Sequence, residues 1–249
     1  MSFFYNNSDV FLVSGATSGI GYEVCCELCQ AGATVVALGR NSEKFRNFKY
    51  PNLYFRELDL SIEPSVITKI VKDLAKEFGR FNGAVLAAGF QFISPFGMTK
   101  FEKIKELFDV NLFGNLAIAQ AFNHKKVYSE TGSSLVFISS ISANRGNPGI
   151  LPYAATKGAI NSSVKTMALE YASKNVRVNA VLPGLVLTEL VVKHSNVYTS
   201  EYLEKMNSSY PLGLGKVENV VKPILFLLSD YSSWITGTEL VVDGGYSAQ

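Results

Sequence analysis

Ser14-Gly15-Ala16-Thr17-Ser18-Gly19-Ile20-Gly21 is the stretch that decides the fold. Val10–Ser14 reads as a short apolar β-strand and Ile20–Ala31 as a helix, so the glycines fall in a strand-to-helix turn. Glycine permits so tight a turn, and it lets an anion approach the free backbone N–H groups at the helix N-terminus. The spacing is G-x-x-x-G-x-G rather than G-x-G-x-x-G. A glycine-rich turn can be only a turn, but its place at the head of an alternating chain favours a phosphate cradle.

Outward from this turn, short β-rich runs alternate with longer helical patterns to the end of the chain. The further strands are Thr34–Leu38, Leu53–Leu58, Ala84–Ala88, Leu135–Ser139, Arg177–Leu182 and Glu239–Val242. Helical patterns cover Glu63–Phe78, Thr99–Phe122, Tyr153–Ser173 and Val217–Ser229. Near-continuous apolar strands are buried on both faces, and the helices between them supply the right-handed crossovers that parallel pairing needs. The expected fold is α/β: a single-domain, Rossmann-like, doubly wound parallel sheet of seven strands with helices on both faces. Ligands of such a sheet bind beyond the carboxyl ends of its strands, near the point where strand order reverses. No linker or repeat divides residues 1–249. The weakly patterned stretch 188–216, with Tyr198, Tyr202 and Tyr210, reads as a lid over that end or as a surface excursion.

Composition narrows the function classes. The 249 residues are 47% hydrophobic and 18% charged, with a net charge of +2. This balance speaks against nucleic acid or an anionic membrane held by bulk charge. No apolar run approaches the roughly 18–20 residues that span a bilayer, and a soluble cytoplasmic protein is expected. Cys25, Cys26 and Cys29 share one helix, where they cannot staple distant parts of the fold. Packing thiols are expected there, and with only His124 and His194 for imidazole ligands no metal site is expected.

The second strand ends Leu38-Gly39-Arg40. A site that prefers NAD usually places a carboxylate here for the ribose 2′-hydroxyl. Gly39 removes it, and Arg40 offers a charge-assisted partner for a 2′-phosphate, so NADP(H) is the expected cofactor. Farther on, Tyr153-Ala154-Ala155-Thr156-Lys157 sets a phenol and an ammonium four residues apart on one helix face. Lowering a tyrosine pKa by about 3 units takes about 4 kcal/mol, and an ammonium about 4 Å away supplies that much at an effective dielectric near 20. Ser140, at the end of the fifth strand, can donate to a developing alkoxide. Asn111 stands amid Phe108, Val110, Leu112 and Phe113, and its buried amide needs partners, of which a water ordered near Lys157 is one.

With these motifs in order, the chain resembles the short-chain dehydrogenase/reductase family over nearly its whole length. The resemblance rests on Gly15…Gly19-Ile20-Gly21, Asp59-Leu60, Ala88-Gly89, Asn111, Ser140, Tyr153-x-x-x-Lys157, Pro183-Gly184 with Thr188, Ile235-Thr236-Gly237 and Val242-Asp243-Gly244-Gly245. It implies that Tyr153 is the acid/base, Ser140 holds the substrate oxygen, Lys157 contacts the nicotinamide ribose, and Asn111 completes a proton relay. It implies cofactor contacts from Gly15, Thr17, Ser18, Gly19, Ile20, Gly21, Arg40, Asp59, Leu60, Ala88, Gly89, Tyr153, Lys157, Pro183, Gly184, Val186 and Thr188. Two departures stand out. Ser14 replaces a usual Thr and keeps the hydroxyl, whereas Leu86-Ala87 replaces two asparagines whose side chains usually brace this strand end.

The resemblance implies an oxidoreductase that interconverts a carbonyl and a secondary alcohol, as a homotetramer or homodimer. It is similar to 3-oxoacyl-carrier-protein reductases through Pro211-Leu212-Gly213…Glu218, and Lys125, Lys126 and Lys174 are candidates to receive an acidic acyl carrier protein. Sugars, steroids and other small ketones are the alternative substrates, and a non-catalytic NADP-binding sensor or assembly subunit is the alternative of another class. Gln91, Phe92, Ser142, Arg145 and Asn147 are expected to shape the pocket.

Overall fold

The computed structural model describes residues 5–45, 48, 50–188 and 199–249. Seven strands form one sheet: β1 (Val10–Ser14), β2 (Thr34–Gly39), β3 (Leu53–Glu57), β4 (Gly83–Leu86), β5 (Ser133–Ile138), β6 (Val176–Pro183) and β7 (Glu239–Val242). Their order is β3-β2-β1-β4-β5-β6-β7 and every pair is parallel. The order reverses between β1 and β4, which places the switch point beside the glycine turn.

Alternate side chains of each strand feed two cores. Leu12, Val36, Ala84 and Leu135 face one layer, against α2 (Pro64–Phe78), α4 (Asn115–Ala121) and α5 (Leu151–Tyr171). Val13, Val35, Val85 and Val136 face the other, against α1 (Gly19–Gln30) and a C-terminal helix, Val217–Leu228. Between these helices in sequence stand α3 (Phe101–Phe108) and α6 (Ser200–Ser209), so the C-terminal helix is α7. The doubly wound sheet with helices on both faces agrees with the sequence expectation.

Two differences bear on the site. The expected helix Thr99–Phe122 is divided: α3 passes into a π-helical turn, Asp109–Gly114, before α4 begins. Strand β4 stops at Leu86, two residues before the expected Ala88. Of the expected lid, α6 and the segment 210–216 are described, and residues 189–198 lie outside the described residues.

Cys25 and Cys29 are buried between α1 and the sheet. Burial raises the thiol pKa of Cys26 to about 11 and of Cys29 to about 12, so these groups stay protonated near neutrality. They are packing thiols, and no cluster of three or more potential metal ligands occurs among the described residues.

Candidate active site

A cleft opens beyond the carboxyl ends of β1, β2 and β4. Gly15, Thr17, Ser18, Gly19, Ile20, Gly21, Arg40, Asp59, Leu60, Ala88, Gly89 and Thr188 line it. Gly15 has φ +66°, and a Cβ there would lie 2.7 Å from the backbone of Ala87 and Ala88. The glycine is therefore required for conformation and for space. Ser18 caps α1 in extended backbone without a side-chain capping bond, so the first-turn N–H groups remain available to an anion.

On the adjoining wall, a Cβ at Gly39 would come within 2.5 Å of Thr17 Cγ2. A carboxylate at this strand end would have to displace Thr17. Arg40 is exposed at the cleft. Opposite, the backbone N–H of Ser61 donates to Asp59 at 2.9 Å and lowers the carboxyl pKa, with Arg40 a smaller contributor.

The proposed chemical groups gather on β5, α5 and the π-turn. Lys157 is 5% exposed, and its ammonium donates to the Ile138 carbonyl at 2.7 Å. Its Nζ lies 5.5 Å from the centre of the Tyr153 ring. Burial lowers the Lys157 pKa to about 8. Ser140 accepts from Ser142 N–H at 3.1 Å and starts the short helix Ile141–Ala143, which leaves its hydroxyl proton to donate elsewhere.

Asn111 has partners within the protein. Its Oδ1 accepts from Phe90 N–H at 2.9 Å and its Nδ2 donates to Phe90 O at 2.8 Å. The same Nδ2 reaches Thr156 Oγ1 at 3.5 Å, and Thr156 donates to the Tyr153 carbonyl at 2.8 Å. The asparagine thus ties the strand end beyond β4 to the helix that carries the phenol.

Other expected residues are not part of that lining. Pro183 ends β6, and Gly184 and Val186 line a second cavity with Tyr210 and Asp243. Lys125 and Lys126 follow α4, and Lys174 follows α5, so all three stand where chain enters strands, at the sheet edge away from the cleft. Arg145, an expected pocket residue, donates to Tyr246 O at 2.8 Å and packs over the Tyr246 ring at 4.6 Å, while Tyr246 stacks on Tyr210 at 4.4 Å.

Sequence reading missed several supports. Ser139 Oγ donates to Asn161 Oδ1 at 2.6 Å and lies 3.2 Å from the Lys157 carbonyl, and Asn161 in turn donates to Glu239. Asn115 bonds Ala88 and Ser14. The only signal for Asn115 was a second amide one helical turn after Asn111 in an otherwise apolar run.

The profile of a family described as Enoyl-(Acyl carrier protein) reductase matches residues 15–247. The chain belongs to the short-chain dehydrogenase/reductase family. An L-xylulose reductase of Caenorhabditis elegans is 33% identical over 243 residues, covering 95% of this chain and 94% of the relative. A 3-oxoacyl-(acyl-carrier-protein) reductase of Thermotoga maritima is 34% identical over 245 residues, covering 95% and 96%. A gluconate 5-dehydrogenase of Burkholderia cenocepacia, solved with NADP and tartrate, superimposes with a TM-score of 0.89 at 27% identity, covering 100% of this chain and 98% of that one. As a short-chain dehydrogenase/reductase, the protein is an oxidoreductase, and solved neighbours hold NADP or NADPH.

Proposed function

We propose that this protein is an NADP(H)-dependent reductase that interconverts a small carbonyl compound and a secondary alcohol, with Tyr153 as the acid/base. The observation that carries the reading is Lys157: a buried ammonium with no carboxylate partner among the described residues, held on the Ile138 carbonyl with its Nζ 5.5 Å from the centre of the Tyr153 ring. A cation so close to the ring favours the phenolate over the phenol and so eases loss of the phenol proton.

The residues divide the work. Uncapped N–H groups at the start of α1 meet the pyrophosphate, and Asp59 and Leu60 border the adenine. Arg40 meets the 2′-phosphate, a preference supported by Gly39, which places no carboxylate there to repel it. When bound, the nicotinamide supplies or accepts the hydride. Tyr153 donates its proton to the carbonyl oxygen, Ser140 donates a hydrogen bond to the same oxygen, and Lys157 stabilises the phenolate that remains. Asn111 holds Phe90 and the Tyr153 turn in place and stands beside the proton path. Pro183, Gly184, Val186 and Thr188 close the nicotinamide side.

The substrate class favoured here is a hydroxylated small ketone or sugar. Relatives named L-xylulose reductase and gluconate 5-dehydrogenase support it. The second reading is a 3-oxoacyl thioester, supported by the Thermotoga maritima relative. A homotetramer or homodimer fits Phe101, Phe113 and Leu169, which are exposed apolar side chains on α3, the π-turn and α5. One domain over residues 1–249 and a cytoplasmic location fit the single sheet and the unpaired thiols. No helix among the described residues is long and apolar enough to cross a membrane.

NADPH oxidation with keto sugars, diketones and β-ketoacyl thioesters, each repeated with NADH, tests the reading. Turnover of a keto sugar or diketone with NADPH preferred is expected. A thioester as the sole substrate would establish the second reading, and no turnover on any compound would support the sensor or assembly role.

A further inference from the structure

Asn115 starts α4, one helical turn beyond Asn111, and is 1% exposed. Its amide stands where three segments meet. Oδ1 accepts from Ser14 Oγ at 3.0 Å, at the end of β1. Nδ2 donates to the Ala88 carbonyl at 2.8 Å, and the carbonyls of Asn111 and Val110 lie 3.1 and 3.2 Å away. Ser14 Oγ also accepts from the Ala88 N–H at 3.2 Å. Both backbone groups of Ala88 therefore end on the Ser14 and Asn115 side chains.

This arrangement replaces what regular structure does not supply. Strand β4 pairs only through Leu86, so Ala88 lies beyond its ladder. The π-turn Asp109–Gly114 alters the regular helical bonding, and the carbonyls of Val110 and Asn111 find a donor in the Asn115 amide. Ala88 and Gly89 form a wall of the cleft, and Asn111 Oδ1 would lie 3.1 Å from a Cβ placed on Gly89. A buried amide with all its groups engaged fixes its neighbours, since each lost bond would strand a buried polar partner.

We infer that Asn115 and Ser14 act together as positioning residues: they set the place of the Ala88–Gly89 wall against the bound nucleotide and hold the turn that carries Asn111. The inference rests on the reading of the cleft as a nucleotide site. Neither residue need touch the reacting atoms. Their effect passes through Ala88, so nucleotide affinity and the local mobility of that segment should change together.

The test measures NADPH dissociation by fluorescence titration and amide exchange of residues 86–90, in wild type, Ser14→Ala, Asn115→Ala, the double variant and Ser14→Thr. Each alanine variant is expected to weaken NADPH binding about tenfold and to speed exchange at Ala88, with β5 amides unchanged. The double variant should be no worse than the poorer single, because the two side chains form one unit. Ser14→Thr, which keeps the hydroxyl, should recover most of what Ser14→Ala loses. Lowered melting temperature with unchanged NADPH affinity and unchanged Ala88 exchange overturns the inference, and so do additive losses. Should Asn115→Ala fail to fold, the contrast of Ser14→Ala with Ser14→Thr decides alone. A wild type that binds neither NADPH nor NADH overturns the nucleotide reading itself, and this is seen before any variant is compared.

Discussion

The two halves of the cleft are built from different materials. On the β1–β3 side the walls are backbone: Gly15 fits against Ala87 and Ala88, Gly39 fits against Thr17, and helix α1 presents open N–H groups. On the β5–α5 side the work falls to side chains, with Lys157 on Ile138, Asn111 on Phe90, and Ser139 on Asn161. A backbone site fails when an atom is added, because there is nowhere for it to go. A side-chain site fails when an atom is removed, because charge or a hydrogen bond is lost. The halves should therefore break separately, one through affinity and the other through turnover.

The largest separation is expected from Tyr153→Phe. It removes one oxygen from the side-chain half, and kcat for carbonyl reduction should fall by roughly 10²–10⁴-fold while NADPH binding stays near wild type. Stopped-flow reduction beside fluorescence titration measures both, and a mutant that turns over like wild type would remove Tyr153 from the mechanism. Gly15→Ala is the reciprocal case. Its added methyl meets the Ala87–Ala88 backbone at 2.7 Å, at a φ of +66°. The strain and overpacking amount to roughly 2–4 kcal/mol, so NADPH affinity should fall by roughly 30- to 1000-fold. Calorimetric titration that showed unchanged affinity would mean that this turn is not the phosphate cradle.

The same contrast explains what could be read before any coordinates. Gly15, Gly19 and Gly21 announce the backbone half because a turn needs particular residues at fixed offsets along one segment. Tyr153 and Lys157 were visible for a like reason, being one helical turn apart. The supports of the side-chain half were not visible. Ser14 and Asn115 are 101 positions apart, and Asn161 and Glu239 are 78 apart, so no local pattern joins them. The π-turn is likewise hidden, since Thr99–Phe122 keeps helical periodicity and the extra residue appears only in the bonding. Lys125, Lys126 and Lys174 show the same limit, because composition gives charge without saying which end of the strands carries it.

Arg40→Ala tests the single side chain on which the backbone half relies. Loss of a charge-assisted contact of about 1.5–3 kcal/mol should weaken NADPH by roughly 10- to 150-fold and leave NADH almost unchanged. Parallel KM measurements with the two nucleotides decide it. An equal loss for both would assign Arg40 to the fold rather than to the 2′-phosphate.

The smallest expected effect comes from titrating Lys157 rather than replacing it. Burial lowers its pKa to about 8, so the folded protein gives up this proton before an unfolded chain does. From pH 7 to pH 9 the charged fraction falls by roughly tenfold, and carbonyl reduction limited by chemistry should fall in proportion as the phenolate loses its neighbour. The stability consequence has the opposite sign. Above pH 8 the unfolded state holds more protons at this lysine than the folded state, so its contribution to stability rises with pH. From about pH 8 the thiols of Cys25, Cys26 and Cys29, whose pKa values are raised, work against this rise, because the unfolded chain ionises them first. Between pH 7 and 8, reduction should decline while the melting temperature does not. A rate that falls only where the melting temperature also falls would assign the loss to unfolding, and a rate unchanged across this range would remove the charge of Lys157 from the chemistry.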